Sequence, residues 1–528
     1  MANALVSWLE FHAGWHPDRT ATVDLATGRR LSYRELSGRV RAIAHALAGL
    51  GVGRGDRVAV LSRNDVRTFE VLYACAHLGA ICVLLNWRLA EPELAEITLD
   101  AEPAVLIAES HVAELADRLA KGLVSGPADT ARTPHRITWA SEAGEPDDYE
   151  QLAIAAPPAD WAPADVDVDS PWTILYTSGT TGRPKGVLAT HRNLHASMLG
   201  IALAGGIDAS SRCLTVLPTF HVAGLGLFAN PVLLMGGTVV VMRQFDPAAA
   251  LELLRTPESG TGSDTDGDTG RITHFTGVPA NFQFMAQLPE FDSARFDRVT
   301  SAVGGAPVPH SLIETWSARG MTMMTVYGIT EAGATVIAVP PGRALAKNGT
   351  IGLPLLHARC RVRRVDDAPV GAGEVGELRI RGDLVTPGYW RRPEATAAAF
   401  DAEGWFRTGD AARVDEDGYL VLVDRWKDMY ISGGENVYPA EVENVLYAHP
   451  EVSQAAVVGV PDERWGETGV AFVVAAPGTD PEATQLRTWC ADRIARYKVP
   501  SRVLLVDELP RNATGKVVKP VLREQLGG

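Results

Sequence analysis

The sequence predicts an α/β protein with a large N-terminal domain of stacked α/β sheets and a β-rich subdomain, followed by a small α+β C-terminal domain. Strand-like and helical segments alternate through the first part of the chain, which favours largely parallel sheets. Segment Arg361–Arg381 alternates apolar and polar residues between glycines, as antiparallel strands do. The chain of 528 residues exceeds the size of one core, so two or more domains are expected.

The N-terminal elements follow from local patterns. Residues 4–50 predict a helix, a short hairpin and a second helix, which Ser32 and Glu35 open with a capping box. Buried strands are predicted at Arg57–Leu61, Ala80–Leu85 and Ala104–Ala108, with helices at 64–78 and 91–99. Residues 122–163 are rich in Ala, Pro and Asp with weak periodicity, so we expect an irregular surface connection there.

Composition and charge exclude several classes of protein. The net charge of −15 argues against binding to nucleic acid or anionic membranes. Five scattered cysteines without CxxC spacing indicate reduced thiols and a cytoplasmic protein. Segment Met1–Trp15 lacks the pattern of a signal peptide. The longest apolar region, Leu225–Met242, contains Asn230, Pro231 and two glycines. We therefore expect this region to lie in the protein core, and we expect no integral membrane segment.

The most informative stretch is Tyr176–Gly186, which holds four Ser/Thr hydroxyls, three glycines and a lysine. Glycines let the backbone approach a ligand closely, and successive N–H groups with hydroxyl donors can hold an anion. The apolar segment Trp172–Tyr176 predicts a strand that leads into this phosphate cradle. A P-loop is excluded because Pro184 precedes Lys185, whereas that motif requires Gly before the lysine and Ser or Thr after it.

This stretch resembles the nucleotide-binding signature of the adenylate-forming superfamily, which includes acyl-CoA synthetases, 4-coumarate-CoA-ligase-like enzymes, luciferases and peptide-synthetase adenylation domains. Other segments resemble the family's remaining motifs in the same order: Ser301–Pro307, Thr325–Glu331, Gly349–Pro354, Trp405–Asp410, Asp424–Asp428 and Leu509–Val517. The resemblance extends from Leu31 to Lys519. It implies a stand-alone acyl-CoA synthetase that uses ATP, Mg²⁺ and coenzyme A on a small carboxylic acid.

The resemblance also implies an ATP site. In it, Tyr327 can stack on the purine, and Asp410 can bond two ribose hydroxyls. Thr330 can donate to the α-phosphate, and Glu331 with Thr180 is expected to hold Mg²⁺. The residues expected to bind ATP are Thr177, Ser178, Gly179, Thr180, Thr181, Gly182, Lys185, Gly304, Gly305, Ala306, Tyr327, Gly328, Asp410 and Arg425.

The family places an aromatic-histidine pair beside the acyl pocket, here Phe220 and His221. Coumarate-ligase-like members often carry a bulky aromatic residue two positions after the histidine, whereas this chain has Ala223. We therefore expect a bulky or medium-to-long acid rather than a small planar aromatic one. The residues expected to line the acyl pocket are His221, Ala223, Gly224, Gly305, Gly328, Gly333 and Ala334.

A carboxylate is a poor acyl donor, and ATP can convert it to acyl-AMP with release of pyrophosphate. The resemblance identifies Lys516 as the cation between the carboxylate and the α-phosphate, and with it Glu331 and Thr330 form the catalytic set. Preorganised charge of this kind is usually the largest catalytic contribution, and lysine suits the role as a mobile point charge. A coenzyme A thiol then attacks acyl-AMP without needing a dedicated base.

The domain boundaries follow the same resemblance. We expect an ATP- and acid-binding domain at 1–424, a hinge at 425–428 that includes Lys427, and a C-terminal domain at 429–528. Coenzyme A is expected near the loop that contains Gly433, Gly434 and Glu435. Many relatives have a lysine early in this loop, and its absence here weakens the case for a basic contact.

Three alternatives stay open at this point. The acyl group could pass to a carrier protein, the fold could support a luciferase-like oxygenase, or the chain could be a catalytically inactive nucleotide-binding protein.

Residues 256–270 are acidic and of low complexity, which predicts a solvated, disordered insertion.

Overall fold

The computed structural model of the chain describes most of the sequence, and every structural statement below refers to these residues. They are 8–124, 133–142, 144–145, 147–177, 184–255, 270–364, 367–371, 373–425, 428–432, 435–462, 465–512 and 516–526. The predicted insertion at 256–270 lies outside them except for its final residue.

The strands form four sheets. In chain order they are β1 (Thr20–Asp24), β2 (Arg30–Ser32), β3 (Arg57–Leu61), β4 (Ile81–Leu85), β5 (Val105–Glu109), β6 (His135–Trp139), β7 (Pro171–Thr177), β8 (Lys185–Thr190), β9 (Arg212–Thr215), β10 (Thr238–Val241), β11 (His274–Gly277), β12 (Thr300–Gly304), β13 (Thr322–Tyr327), β14 (Ile337–Ala338), β15 (Leu353–Pro354), β16 (Arg359–Arg363), β17 (Gly376–Arg381), β18 (Phe406–Val414), β19 (Leu420–Arg425), β20 (Tyr430–Ser432), β21 (Glu435–Val437), β22 (Val452–Asp462), β23 (Gly466–Ala475) and β24 (Arg502–Leu505).

The α-helices are mostly short. They are α1 (Trp8–Trp15), α2 (Tyr33–Gly49), α3 (Arg67–Leu78), α4 (Glu91–Ala101), α5 (Ala113–Val124), α6 (Asp148–Ala153), α7 (His191–Gly205), α8 (Val222–Gly226), α9 (Ala229–Leu234), α10 (Pro247–Leu254), α11 (Pro279–Ala286), α12 (His310–Ser317), α13 (Pro393–Ala399), α14 (Pro439–Tyr447), α15 (Ala483–Ala491) and α16 (Lys519–Glu524). None of the described helices is long and apolar enough to cross a bilayer.

Two largely parallel sheets dominate the chain before residue 358. The nine-stranded sheet has the order β15-β14-β13-β12-β11-β9-β10-β1-β2, and its six central strands are parallel. The six-stranded sheet has the order β6-β5-β3-β4-β7-β8, with β8 alone antiparallel to its neighbour. The predicted α/β class is therefore confirmed.

Helices cover both faces of the six-stranded sheet. Along β3, Val58 and Val60 belong to the main core, whereas Ala59 and Leu61 belong to a second core with residues of α4 and α5. Alternate residues of a strand point to opposite faces, so a strand that is apolar throughout must be buried on both sides. The main core joins side chains of both parallel sheets with those of α2, α3, α7 and α9.

The remaining two sheets are mainly antiparallel. β16 to β19 form the predicted β-rich subdomain in the order β16-β17-β18-β19. The last sheet, of order β21-β20-β23-β22 with β24 beside β23, shares a separate core with α14 and α15. This small α+β lobe follows the large one, as the sequence predicts.

One part of the sequence interpretation is wrong. The stretch 122–163, predicted to be an irregular surface connection, contains β6 and α6 among its described residues. Trp139 on β6 and Tyr149 on α6 are fully buried. Tertiary contacts outweigh the weak local pattern here, since β6 adds a parallel edge strand to β5 and buries Ile137. The predicted Ser32–Glu35 capping box, in contrast, is present at the start of α2.

A buried ion network joins three helices of the large lobe. The guanidinium of Arg39 on α2 lies 2.7 Å from Oε1 of Glu70 on α3 and 2.7 Å from Oε1 of Glu150 on α6. The hydroxyl of Tyr149 donates to Oε2 of Glu70 at 2.9 Å. Burial opposes the charge on Arg39, but the two carboxylates outweigh it and raise the pKa of the guanidinium. The network fixes α2, α3 and α6 against one another.

Replacing Glu70 by glutamine should therefore destabilise the large lobe. The Glu70 side chain is fully buried, and breaking a buried pair while leaving the other charge in place costs about 3–5 kcal/mol. Urea unfolding followed by tryptophan fluorescence measures the change in the free energy of unfolding. As a control, Asp18→Asn removes the partner of Arg34 in an exposed pair and should leave stability almost unchanged. Equal effects of the two substitutions would contradict this account.

Candidate active site

The two ends of the predicted phosphate cradle lie opposite each other on a β-hairpin. β7 and β8 pair in antiparallel register, with Tyr176 opposite Gly186 and Thr177 opposite Lys185. The hydroxyl of Thr177 donates to the carbonyl oxygen of Lys185 at 3.5 Å. The strand predicted before the cradle is thus confirmed. The predicted donors at its tip lie outside the described residues, namely Ser178, Gly179, Thr180, Thr181 and Gly182.

Segment 388–390 runs along the outer side of this hairpin. Tyr389 forms an isolated bridge with Val187 of β8, and the backbone N–H of Trp390 donates to the carbonyl oxygen of Gly186 at 2.7 Å. The indole of Trp390 also donates to the carbonyl oxygen of Asp100 at 3.0 Å. These contacts fix the connection after β17 against the strand that carries Lys185.

Tyr389 links two residues of the predicted site. Its hydroxyl donates to Oε1 of Glu331 at 3.0 Å, and the ammonium of Lys185 lies 5.4 Å from the centre of its ring. Burial, followed by the nearby Glu331 carboxylate, raises the pKa of Tyr389, so its hydroxyl stays protonated and donates. The sequence interpretation missed this residue. The only local signal is an aromatic pair after a Pro-Gly turn, which by itself does not point to a nucleotide site.

Glu331 suits a magnesium ion that is shared with phosphates. It lies with Thr330 in a 3₁₀ turn, Thr330–Ala332, after β13. No group of three or more His, Cys, Asp or Glu side chains among the described residues could hold a metal by itself. Mg²⁺ commonly takes one or two carboxylates together with substrate phosphates, so a lone Glu331 fits this ion. Thr180, the second predicted ligand, lies outside the described residues.

The residues predicted to contact the purine and the ribose lie next to each other. The hydroxyl of Tyr327, at the end of β13, donates to Oδ2 of Asp410 on β18 at 2.5 Å. Both side chains are buried, and the backbone N–H of Asp410 donates to Thr408 Oγ1 at 3.1 Å. A ring that can stack on a base therefore adjoins a carboxylate that can accept from sugar hydroxyls. Arg425 is opposite Asp410 in the β18–β19 register, but its side chain is outside the described part.

A glycine turn follows β12 beside this pair. A Cβ at Gly304 would lie 2.3 Å from the carbonyl oxygen of Val326, so only glycine allows β12 and β13 to approach this closely. Gly305 has φ of 78°, in the left-handed region that favours glycine, and Gly305 and Ala306 are exposed. This turn presents exposed backbone at the carboxyl ends of two parallel strands, where α/β proteins bind ligands.

His221 caps the N-terminus of α8. Its Nδ1 accepts from the backbone N–H of Ala223 at 3.2 Å, so the neutral ring carries its hydrogen on Nε2. Burial of the imidazole, and after it the positive charge of Lys516, lowers the pKa of His221 to about 4. The imidazole is therefore neutral at pH 7.

Lys516 comes from the small lobe and acts on this part of the large lobe. Its backbone N–H donates to Oδ1 of Asn512 at 3.0 Å, and the N–H of Asn512 donates to its carbonyl oxygen at 2.9 Å. These bonds join Lys516 to Asn512. The positive charge of Lys516 contributes to the lowered pKa of His221, although the two residues are distant in sequence and belong to different lobes.

The predicted acyl residues beyond His221 are small for more than one reason. A Cβ at Gly224 would lie 2.1 Å from the carbonyl oxygen of Pro218, and one at Gly328 would lie 1.5 Å from that of Ala334. Gly333 and Ala334 have φ of 71° and 99°. At positions 224 and 328 glycine is thus required by the close approach of backbone carbonyl oxygens.

The predicted hinge and coenzyme A loop are only partly described. Lys427, Gly433 and Gly434 lie outside the described residues. Glu435 begins β21, and its side chain is likewise not described. Ile431 lies on β20, just before this loop, and its side chain is half exposed. The hinge and coenzyme A roles of these residues stay predictions.

Comparison with known families identifies two matching regions. The profile of the AMP-binding enzyme family matches residues 9–390, and that of the AMP-binding enzyme C-terminal domain matches residues 441–516. The second match ends at Lys516, the residue predicted to be catalytic.

Individual relatives span nearly the full chain. Feruloyl-CoA synthase of Amycolatopsis sp is 40% identical over 526 residues, covering 99% of both chains. A long-chain-fatty-acid–CoA ligase of Mycobacterium tuberculosis is 38% identical over 527 residues, covering 98% of both. The crystal structure of ATP-bound MatB from Rhodopseudomonas palustris matches with a TM-score of 0.87 at 30% identity, covering 99% of both chains. The chain belongs to the AMP-binding enzyme family, the adenylate-forming superfamily of acyl-CoA synthetases.

Proposed function

We propose that this ATP-dependent acid:CoA ligase activates a bulky or medium-to-long carboxylic acid, and that Lys516 is the cation at the point where acid and ATP react. Mg-ATP and the acid give acyl-AMP and pyrophosphate, and the thiol of coenzyme A then gives acyl-CoA and AMP. The assignment of Lys516 is supported by the match to the AMP-binding enzyme C-terminal domain, which ends at this residue, and by the effect of its charge on the pKa of His221. A lysine of the small lobe whose charge reaches the mouth of the predicted acyl site supports an arrangement suited to adenylation.

The chemistry requires that charge. A carboxylate oxygen must approach the α-phosphorus of a triphosphate, and two anions repel each other strongly in a site with little water. An ammonium group between them offsets the repulsion most when the charges are closest, which is in the transition state. The neutral imidazole of His221 borders the site without competing with Lys516 for the carboxylate.

The large lobe holds the nucleotide in this proposal. The hydroxyls and amides of 177–182 bind the phosphates, Lys185 adds a positive charge, and Tyr327 with Asp410 binds the nucleoside. Glu331 would hold Mg²⁺, which supplies charge neutralisation on the phosphates. Thr330, next to it in the turn Thr330–Ala332, donates to the α-phosphate. Tyr389 positions Glu331 and Lys185 relative to each other.

Thioester formation requires the small lobe to withdraw Lys516. We assign this movement to the hinge 425–428, between an ATP- and acid-binding domain at 1–424 and a mobile domain at 429–528, with the coenzyme A thiol approaching near 433–435. We also place the enzyme in the cytoplasm. All five of its cysteines are free thiols, which suits a reducing compartment.

Replacing Lys516 by alanine should separate the two half-reactions. Acid-dependent pyrophosphate release should fall by on the order of 10²–10³, because one preorganised charge is lost from the transition state. Thioester formation from supplied acyl-AMP should be nearly unchanged. Pyrophosphate release over a panel of aryl, alicyclic and fatty acids, with and without coenzyme A, gives the first value, and thioester yield gives the second.

Lys498, which pairs with the partly exposed Glu441 at 2.6 Å within the small lobe, provides the matched control. Lys498→Ala should retain pyrophosphate release within a few-fold. Equal loss of both half-reactions in Lys516→Ala would contradict the assignment. Nucleotide binding without pyrophosphate release from any acid would revive the inactive-protein alternative, and transfer to a carrier protein but not to coenzyme A would favour the carrier-loading one.

Tyr389→Phe should weaken the dependence of ATP binding on Mg²⁺. The variant keeps the ring under Lys185 but removes the hydroxyl that donates to Glu331. Loss of a partner that orients a metal ligand typically lowers metal affinity about 10–100-fold. Calorimetric titration of ATP at several Mg²⁺ concentrations measures this without turnover. Tyr176→Phe, which removes a hydroxyl bonded to Asp100 at 2.7 Å on the same hairpin, is the control. An unchanged Mg²⁺ dependence in Tyr389→Phe would refute the positioning role.

A further inference from the structure

The peptide between Gly333 and Ala334 has an unusual backbone conformation. Ala334 has φ of 99°, in a region that glycine enters readily and alanine does not, and Gly333 before it has φ of 71°. Both residues are buried. A strained conformation of this kind persists only where the surrounding structure holds it. The peptide follows directly after the turn Thr330–Ala332, so it joins the expected metal turn to the predicted wall of the acyl pocket.

Ser197 of α7 holds this peptide from one side. Its hydroxyl donates to the carbonyl oxygen of Gly333 at 2.6 Å, and the residue is 2% exposed. A serine inside a helix commonly donates to the carbonyl oxygen four residues earlier, whereas this hydroxyl bonds to a distant segment of the chain. Because Gly333 is buried, removing the hydroxyl would leave its carbonyl oxygen without this bond and out of contact with solvent.

Two glycines let the same peptide pack closely against neighbouring elements. A Cβ at Gly226 of α8 would lie 2.9 Å from Cβ of Ala334 and 2.9 Å from the carbonyl oxygen of Gly333. A Cβ at Gly328, just after β13, would collide with the carbonyl oxygen of Ala334. The peptide is therefore enclosed by α7, α8 and the segment that follows β13.

Helix α7 also fixes the backbone around Glu331. One turn before Ser197, Nδ2 of Asn193 donates to the carbonyl oxygen of Val385 at 2.8 Å. The backbone N–H of Thr386, the next residue, donates to the carbonyl oxygen of Glu331 at 2.8 Å. One helix thus holds both the segment that follows the metal turn and the segment that bonds to it.

We propose that Ser197 is a positioning residue for adenylation. Its hydroxyl holds the Gly333–Ala334 peptide in the strained conformation, and the peptide places the wall of the acyl pocket against the turn that carries Thr330 and Glu331. Without the bond, Ala334 relaxes towards negative φ, and only a fraction of the molecules keeps the arrangement that reacts. The inference rests on the proposed function, because it concerns how the same site is assembled.

Replacing Ser197 by alanine in the full chain tests this role. The substitution should lower kcat/KM for acid-dependent pyrophosphate release about tenfold, since a buried carbonyl oxygen loses its donor and the strained state becomes less populated. Thr238→Val is the matched control, because it removes a buried hydroxyl of β10 that donates to the carbonyl oxygen of Thr20 at 2.7 Å. It should lower stability towards urea by a similar amount and keep kcat/KM within about twofold of wild type.

A second substitution, Ala334→Gly, separates positioning from a general loss of stability. Glycine adopts positive φ without strain, so the conformation no longer depends on the Ser197 hydroxyl. The loss caused by Ser197→Ala should therefore shrink from about tenfold to about twofold when Ala334→Gly is also present. A purely structural role of Ser197 would give the same loss in both backgrounds.

Gly226→Ala acts on the same peptide from α8 and keeps the test open if Ser197→Ala fails to fold. Its added methyl group would press on Ala334 and on the Gly333 carbonyl, and should lower kcat/KM about tenfold. Full activity of Ser197→Ala or of Gly226→Ala, or an equal effect of Ser197→Ala with and without Ala334→Gly, would overturn the inference and leave the proposed function intact. Absence of pyrophosphate release by wild type with every acid of a broad panel would instead overturn the proposed function, and the inference with it.

Discussion

Repulsion between two anions is the constraint around which this enzyme is arranged. A carboxylate and a triphosphate must come into contact, and in our proposal one ammonium group offsets their repulsion. That group, Lys516, belongs to the small lobe, yet its charge reaches His221 on the large lobe. A charge carried on a separate lobe can be present for adenylation and absent for thiol attack. The position of the lysine late in the chain therefore has a direct chemical use.

The large lobe supplies the rigid counterpart. Its parallel sheets are covered by helices on both faces, and the Arg39–Glu70 pair fixes α2 against α3. The groups expected to bind ATP are connected by side-chain contacts, from Lys185 through Tyr389 to Glu331, and separately from Tyr327 to Asp410. The β-rich subdomain contributes Asp410, and the segment before its strand β18 contributes Tyr389. The proposed nucleotide site thus draws residues from both parallel sheets and from the β-rich subdomain.

Local patterns predicted the features that depend on neighbouring residues. The capping box at Ser32, the strand β3 and the strand that leads into the cradle are examples, because their signals lie within a few residues. Family motifs predicted that Tyr327 and Asp410 contribute to the ATP site. The hydrogen bond between their side chains could not be predicted from the sequence.

The features that were missed depend on contacts between distant residues. Tyr389 gains its proposed role only through Glu331 and Lys185, and α6 is stabilised by burial of Tyr149 against Glu70 in addition to its Asp147 cap. The physical reason for a glycine also depends on distant contacts. Gly224 is among the residues expected to line the acyl pocket, and a side chain there would collide with the carbonyl oxygen of Pro218.

The most direct test of the central claim is the titration of His221. Selective ¹³C labelling of histidine, with the His221 signal assigned from a His221→Gln variant, would give its pKa in the full chain. We expect a value of about 4 in wild type and a higher value in Lys516→Met, because removing a nearby positive charge makes protonation of the ring easier. The same pKa in both proteins would show that the lysine does not reach the site, and the account would fail.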